Sequence, residues 1–117
     1  MKVRRFVFVV VLSAVLVVAD GCGKKDEEES NGKLFGVTFQ TLNNPFFVDL
    51  NEGVKEVIEA HVDRLVTLDA QWNSLKQMND ISDLIMQNAS AIFINPVNWK
   101  GIKGSLIKAK EKSILIM

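Results

Sequence analysis

The stretch Gly36–Phe47, GVTFQTLNNPFF, decides the fold of this chain. It begins with apolar and β-branched residues typical of a buried strand and then passes through a polar turn, Thr41–Asn44. Asn44 is a natural N-cap, and Pro45 suits the first helical position because its missing N–H would have no partner there. The sequence therefore predicts a strand that ends where a helix begins. In open α/β folds, small ligands bind at this carboxyl edge of the sheet.

The composition limits what the chain can be. Its 117 residues suffice for one small domain, and the proportions of hydrophobic (48%) and charged (24%) residues are those of a globular protein. The formal net charge is zero, so the basic footprint of a nucleic-acid-binding protein is missing. One cysteine, Cys22, and one histidine, His61, give neither a metal-ligand spacing nor a plausible nucleophile with its base. The sequence therefore predicts a protein that is not an enzyme and has no cofactor or metal.

Residues 1–22 are typical of an export signal. Three of residues 2–5 are basic, and Phe6–Ala19 is a run of fourteen residues without a charge. A membrane-spanning helix needs about 20 residues, so a marginal N-terminal anchor is the weaker alternative. The pair Gly21–Cys22 resembles the lipobox of bacterial lipoproteins, in which the cysteine becomes lipidated. We therefore expect a lipoprotein signal peptide over residues 1–22, with lipidation at Cys22.

A flexible tether is predicted over residues 23–32, GKKDEEESNG. These residues are polar and lack hydrophobic periodicity, so they cannot bury a core. The acidic run Asp26–Glu29 suits a solvated spacer better than a metal or partner site, because like charges repel and stay hydrated. The folded domain is expected over residues 33–117.

Strands and helices alternate in this predicted domain. Short apolar runs predict strands at Lys33–Phe39, Arg64–Leu68, Ala91–Ile94 and Ser113–Met117. The apolar residues at helical spacing are, helix by helix, Phe47, Leu50, Val54, Val57 and Ile58; Leu75, Met78, Ile81, Leu84 and Ile85; and Trp99, Ile102, Leu106 and Ala109. The first of these helices is expected to end at His61. The order βαβαβαβ with short connections predicts an α/β fold, a doubly wound parallel sheet with helices on both faces. Covering both faces requires a switch point beside the first strand and the strand order 2-1-3-4.

The predicted carboxyl edge offers side-chain amides and aromatic rings. Gln40 and Asn44 each carry donors and an acceptor that suit adjacent hydroxyl groups. Phe46 and Phe47 add flat apolar faces, and a sugar ring presents hydroxyls at its rim and C–H groups on its face. Phe47 also falls on the apolar stripe of the helix, so a core role is an equally good interpretation, whereas Phe46 falls off that stripe. The sequence predicts a sugar site formed by these four residues.

Three motifs occur in a characteristic order and spacing: TLNNPFF at Thr41–Phe47, LDAQWN at Leu68–Asn73 and AIFINP at Ala91–Pro96. Together they resemble the ribose-type periplasmic sugar-binding proteins, which are the substrate-binding components of sugar ABC transporters. The resemblance runs from about Leu34 to Met117. It implies two Rossmann-like lobes of a type I periplasmic binding protein that close over a monosaccharide, with an ABC transporter permease as the partner.

The resemblance also implies roles for individual residues. Ligand contacts in the first-lobe loop of the family come from the positions of Gln40, Asn44, Phe46 and Phe47. The first of these positions commonly holds a small hydroxyl residue in ribose-specific members, so glutamine argues against ribose itself. A ribose-like monosaccharide is the ligand that the resemblance implies. Trp99 departs from the family pattern, and it either reshapes the rim of the cleft or covers the end of a helix.

The chain is expected to form only part of such a protein. In the family, the strand at Ile114–Met117 leads to an aspartate that binds sugar hydroxyls, and the sequence stops before that point. An incomplete first lobe is expected to be poorly stable and to bind sugar weakly or not at all, because sealing a sugar between two walls gives useful affinity. Two alternative roles share this fold: ligand sensing for chemotaxis or quorum signalling, and the sensor domain of a lactose-repressor-type regulator. The export signal, in place of a helix-turn-helix, disfavours the regulator.

Overall fold

A computed structural model describes residues 32–117, so the predicted signal peptide, Cys22 and nearly all of the predicted tether lie outside the described residues. The elements in chain order are β1 (Leu34–Phe39), α1 (Pro45–Glu59), β2 (Arg64–Asp69), α2 (Ser74–Met86), β3 (Ala91–Ile94), α3 (Trp99–Glu111) and β4 (Leu115–Ile116). Every element predicted for this domain is present. The predicted end of α1 was wrong: Ala60 caps the helix, and His61 lies in the turn that follows.

The four strands form one parallel sheet with the order β2-β1-β3-β4. This confirms the predicted strand order and the switch point beside β1. Val37, in the middle of β1, lies opposite Thr67 on one side and Phe93 on the other. The loops after β2, β1 and β3 therefore stand side by side at the carboxyl edge.

Side chains of β1 alternate between two cores, one on each face of the sheet. Val37 and Phe39 pack with Ile58 of α1 on the first face. Gly36 lies on the opposite face, where an added Cβ would stand 2.5 Å from Leu84 Cδ1 of α2. Glycine suits this position because a side chain would clash with the Leu84 side chain unless that side chain moved. Helices therefore cover both faces, as predicted.

The apolar stripes of α2 and α3 are largely buried. Ile81, Leu84 and Ile102 are inaccessible to solvent. Two residues of these stripes, Leu75 and Trp99, are instead 65% and 69% exposed. Both residues lie in the first turn of their helix, and this turn stands at the carboxyl edge rather than over the sheet.

The apolar stripe of α1 is mostly open. Ile58 is its one fully buried residue, whereas Leu50 and Val57 are exposed. These two side chains of the predicted stripe stay exposed because α1 packs alone on its face and has no helix beside it among the described residues.

Candidate functional site

Three loops meet at Gln40, the residue that follows β1. Its backbone N–H donates to Asn95 Oδ1 in the β3–α3 loop at 3.2 Å. Its carbonyl accepts a hydrogen bond from the backbone N–H of Trp72 in the β2–α2 loop at 2.7 Å. The backbone of Gln40 is thus fixed from both sides, at the centre of the carboxyl edge.

A buried glutamine of α2, Gln77, makes hydrogen bonds to the strand and the loop at this edge. Its Nε2 donates to Thr38 Oγ1 at 3.3 Å and to the Asn95 carbonyl at 2.9 Å, and its Oε1 accepts from the backbone N–H of Val97 at 2.8 Å. The side chain is inaccessible to solvent, so these partners replace all of its contacts with water. Gln77 therefore fixes the position of Asn95, which in turn holds Gln40.

The sequence patterns did not predict a role at the edge for Gln77 or Asn95. A signal for Gln77 was present, because it lies four residues before Ile81 on the buried stripe of α2. A polar residue on an apolar stripe must find partners inside the protein. No comparable signal marks Asn95, whose role depends on the register of β1 against β3.

Asn44 is the N-cap of α1, as predicted. Its Oδ1 accepts from the backbone N–H of Phe46 at 3.0 Å. In the same turn, Thr41 Oγ1 accepts from the backbone N–H of Asn43 at 3.1 Å. Capping uses the amide oxygen of Asn44 and leaves its Nδ2 group out of the cap. The side chain is exposed.

The two adjacent phenylalanines differ in their surroundings. Phe47 is partly buried against the α1-side core, with its ring centroid 5.7 Å from that of Phe39. Phe46 is 64% exposed and packs edge-on to Phe47, with the ring centroids 5.4 Å apart. Phe47 therefore serves the core and supports Phe46, whose other face is open to solvent.

Two exposed tryptophans also follow strands of the sheet. Trp72 lies in the β2–α2 loop and is 61% exposed. Trp99, at the first position of α3, is also exposed. With Phe46, these rings place one large exposed aromatic after each of the three adjacent strands β2, β1 and β3.

Two carboxylates near the edge are engaged within the chain. Asp69 Oδ1 accepts from the backbone N–H of Gln71 at 2.8 Å. Asp80 forms an ion pair with Lys76 Nζ at 3.1 Å. Over residues 32–117, no three His, Cys, Asp or Glu side chains are grouped as metal ligands. The chemistry of the edge is therefore that of amides and aromatic rings.

A separate apolar groove of about 410 Å³ flanks α1. It is lined by Asp49, Leu50, Gly53, Val54, Val57, Ile58 and Phe93. Gln40 and Asn44 do not reach this groove, and its walls offer almost no hydrogen-bonding groups. We place the candidate site at the carboxyl edge because the polar groups that fix a small ligand are there. Within the described part of the chain, no helix is long and apolar enough to cross a membrane.

The chain is similar to known binding proteins. A family model described as "periplasmic binding protein domain" matches residues 35–117. The ribose import binding protein of Bacillus subtilis is 31% identical over 116 residues, which cover 92% of this chain and 38% of the relative.

Solved structures agree with this match. An ABC transporter solute-binding protein from Mycobacterium smegmatis with bound glycerol is 34% identical, with a TM-score of 0.68, and the match covers 73% of this chain and 30% of that one. A Caulobacter myo-inositol binding protein bound to myo-inositol is 26% identical, with a TM-score of 0.65, and the match covers 71% and 28%. The chain thus spans about a third of the length of these relatives. Its sheet order, its capped β1–α1 loop and the family model over residues 35–117 show that it belongs to the periplasmic binding protein family.

Proposed function

We propose that residues 33–117 supply one wall of a binding site for a monosaccharide or a cyclic polyol, as the first-lobe part of an ABC transporter binding protein. One observation carries this proposal. The backbone of Gln40 is hydrogen-bonded to the loops on both sides, so its side chain projects from a fixed point in the same loop as Asn44, and Phe46 follows in the first turn of α1. Membership of the family implies a periplasmic location.

The chemistry of these groups fits a polyhydroxylated ring. The amides of Gln40 and Asn44 pair with hydroxyl groups as donors and acceptors. The open face of Phe46 covers C–H groups, which removes apolar area from water on both sides of the contact. Two of the relatives hold glycerol and myo-inositol, and both ligands carry this combination of hydroxyl and C–H groups.

A single wall is expected to bind weakly. The ligand loses its translational and rotational freedom on binding, and one wall leaves its second face in water. We therefore expect a dissociation constant of about 1 mM or higher for this chain, which corresponds to about −4 kcal/mol of binding free energy.

Saturation-transfer NMR tests the proposal in this weak range. D-ribose, myo-inositol and glycerol are each added to the chain, and we expect transfer to at least one of them. Phe46→Ala should abolish most of this transfer. Leu50→Ala is the matched control, because Leu50 is an exposed apolar residue of the same helix but lines the α1 groove. Transfer that survives in Phe46→Ala and is lost in Leu50→Ala would place the ligand in the groove and contradict the proposal.

We further propose that a lipid at Cys22 anchors the protein to the membrane and that a permease receives its ligand. The sequence around Gly21–Cys22 supports the anchor, which lies outside the described residues. Cells that express the chain should incorporate radioactive fatty acid into it, and Cys22→Ala should abolish the label. Equal labelling of the variant would contradict the anchor at this position.

A further inference from the structure

Trp72 occupies a backbone conformation that disfavours it. The backbone N–H of Asn73 donates to the Ala70 carbonyl at 2.8 Å, which closes a tight turn around Gln71 and Trp72. Both central residues have positive φ, 52° and 59°. Turns of this kind select glycine, asparagine or aspartate, because the Cβ of a bulky L-residue crowds the backbone there.

Packing does not explain the tryptophan. Its side chain is 61% exposed, so a smaller residue would leave no large cavity. The turn itself is formed by backbone groups and by Asp69 Oδ1, which accepts from the backbone N–H of Gln71. Asparagine at position 72 would therefore make the same turn with less strain. Unfavourable backbone conformations that persist without a packing reason concentrate at functional sites.

The strained turn stands beside the candidate site. The Trp72 N–H donates to the Gln40 carbonyl at 2.7 Å, so the two residues share a backbone hydrogen bond. Trp99, the other exposed tryptophan, has no such bond to Gln40, and its backbone is helical. Of the two tryptophans, Trp72 is thus the one whose backbone is bonded directly to the candidate site.

We propose that Trp72 is a specificity-determining residue whose indole covers the apolar face of the ligand that Gln40 and Asn44 hold. This inference rests on the proposed sugar site. An indole offers a wider flat surface than the phenyl ring of Phe46, so it favours ligands with a broad, rigid C–H face. Cyclic ligands such as a pyranose or myo-inositol present that face, whereas an open-chain polyol such as glycerol does not.

Two asparagine substitutions separate this role from a purely structural one. Trp72→Asn and Gln71→Asn each place a residue that tolerates positive φ at a strained position of the same turn. We expect both variants to melt at or above the temperature of the wild-type chain. Saturation-transfer NMR with myo-inositol should show at least a tenfold weaker affinity for Trp72→Asn and an unchanged affinity for Gln71→Asn. The affinity for glycerol should change in neither variant.

Fluorescence tests the role of Trp72 without replacing this residue. The chain has two tryptophans, so Trp99→Phe leaves Trp72 as the sole indole emitter. We expect myo-inositol to shift its emission and to protect it from quenching by acrylamide.

Wild-type affinity in Trp72→Asn, equal losses in both asparagine variants, or unchanged Trp72 emission when the ligand is bound would each overturn the inference while leaving the sugar site intact. Absence of binding of all three ligands by the wild-type chain would overturn the proposed function and this inference with it.

Discussion

The two faces of the sheet are built differently. On the face covered by α2 and α3, a continuous cluster that includes Ile81, Leu84 and Ile102 is sealed from solvent. On the α1 face the buried cluster is smaller, and Val57 is 71% exposed. We call these the closed face and the open face.

The difference shows where the carboxyl edge gets its rigidity. Gln77 belongs to α2 on the closed face and reaches through to Thr38, Asn95 and Val97 at the edge. No side chain of α1 makes a corresponding link to the β3–α3 loop among the described hydrogen bonds. The closed face therefore holds the candidate site in position, while α1 contributes the cap and the exposed ring of Phe46.

The largest effect on stability is expected in the core on the closed face. Leu84→Ala should destabilise the chain by about 2–5 kcal/mol, because it leaves a cavity against Gly36 that the sheet cannot fill. Val57→Ala on the open face is the control and should change stability by no more than about 0.5 kcal/mol. Urea unfolding followed by circular dichroism measures both. Similar losses in the two variants would remove the distinction between the faces.

The next largest effect on stability is expected at Gln77, which joins the closed face to the carboxyl edge. Gln77→Leu should cost about 1–3 kcal/mol, because it leaves buried polar partners at Thr38, Asn95 and Val97 unsatisfied. Hydrogen exchange at the Gln40 and Val97 amides should also become faster. The matched control is Gln87→Leu, since Gln87 is an exposed glutamine at the C-cap of the same helix. Unchanged exchange in Gln77→Leu would show that the edge is held by other means.

Substitutions at Asn44 can separate its role as the helix cap from its proposed contact with the ligand. Asn44→Ala should lower stability by about 1 kcal/mol through loss of the cap. It should also weaken sugar binding by about 1 kcal/mol through loss of the hydrogen bond that the amide would make to a sugar hydroxyl. Serine caps as well as asparagine but lacks the amide nitrogen, so Asn44→Ser should keep the stability and lose the binding. If serine restores both, the residue acts on the helix alone.

The smallest effect on stability is expected at β4, the strand at one lateral edge of the sheet. Leu115 lies in β4 at the end of the sheet and is largely exposed. A charge on an edge strand opposes pairing with another chain, so Leu115→Lys should reduce self-association in sedimentation velocity. Its stability should stay within about 0.5 kcal/mol of the wild type. Increased association of the variant would contradict the expectation that β4 pairs with other chains.

The sequence predicted most of the fold because its patterns are local. Alternating apolar runs and helical stripes located every element of the described domain, and Asn44, Asn73 and Asn98 cap the helices where the turns end. Burial was less predictable, since it depends on neighbours. Leu50 and Val57 belong to a clear apolar stripe, yet α1 has no helix beside it to cover them.

The candidate site was only partly predictable. Gln40 and Asn44 lie in one loop and Phe46 lies in the helical turn that follows it, so the sequence alone places them close together. Gln77 and Asn95 reach Gln40 only through the register of three strands, and no local pattern contains that register. The positive φ of Trp72 was equally hidden, because glycine or asparagine is the usual sequence signal for such a turn.

A nitrogen-15 NMR titration of the chain with myo-inositol tests most directly whether the carboxyl edge, rather than the open face, receives the ligand. We predict that the backbone resonances of Gln40 and Phe46 and the side-chain amide of Asn44 shift with one common affinity, while those of Val54 and Val57 stay in place. Shifts confined to the α1 groove, with Gln40 and Asn44 unmoved, would contradict the account.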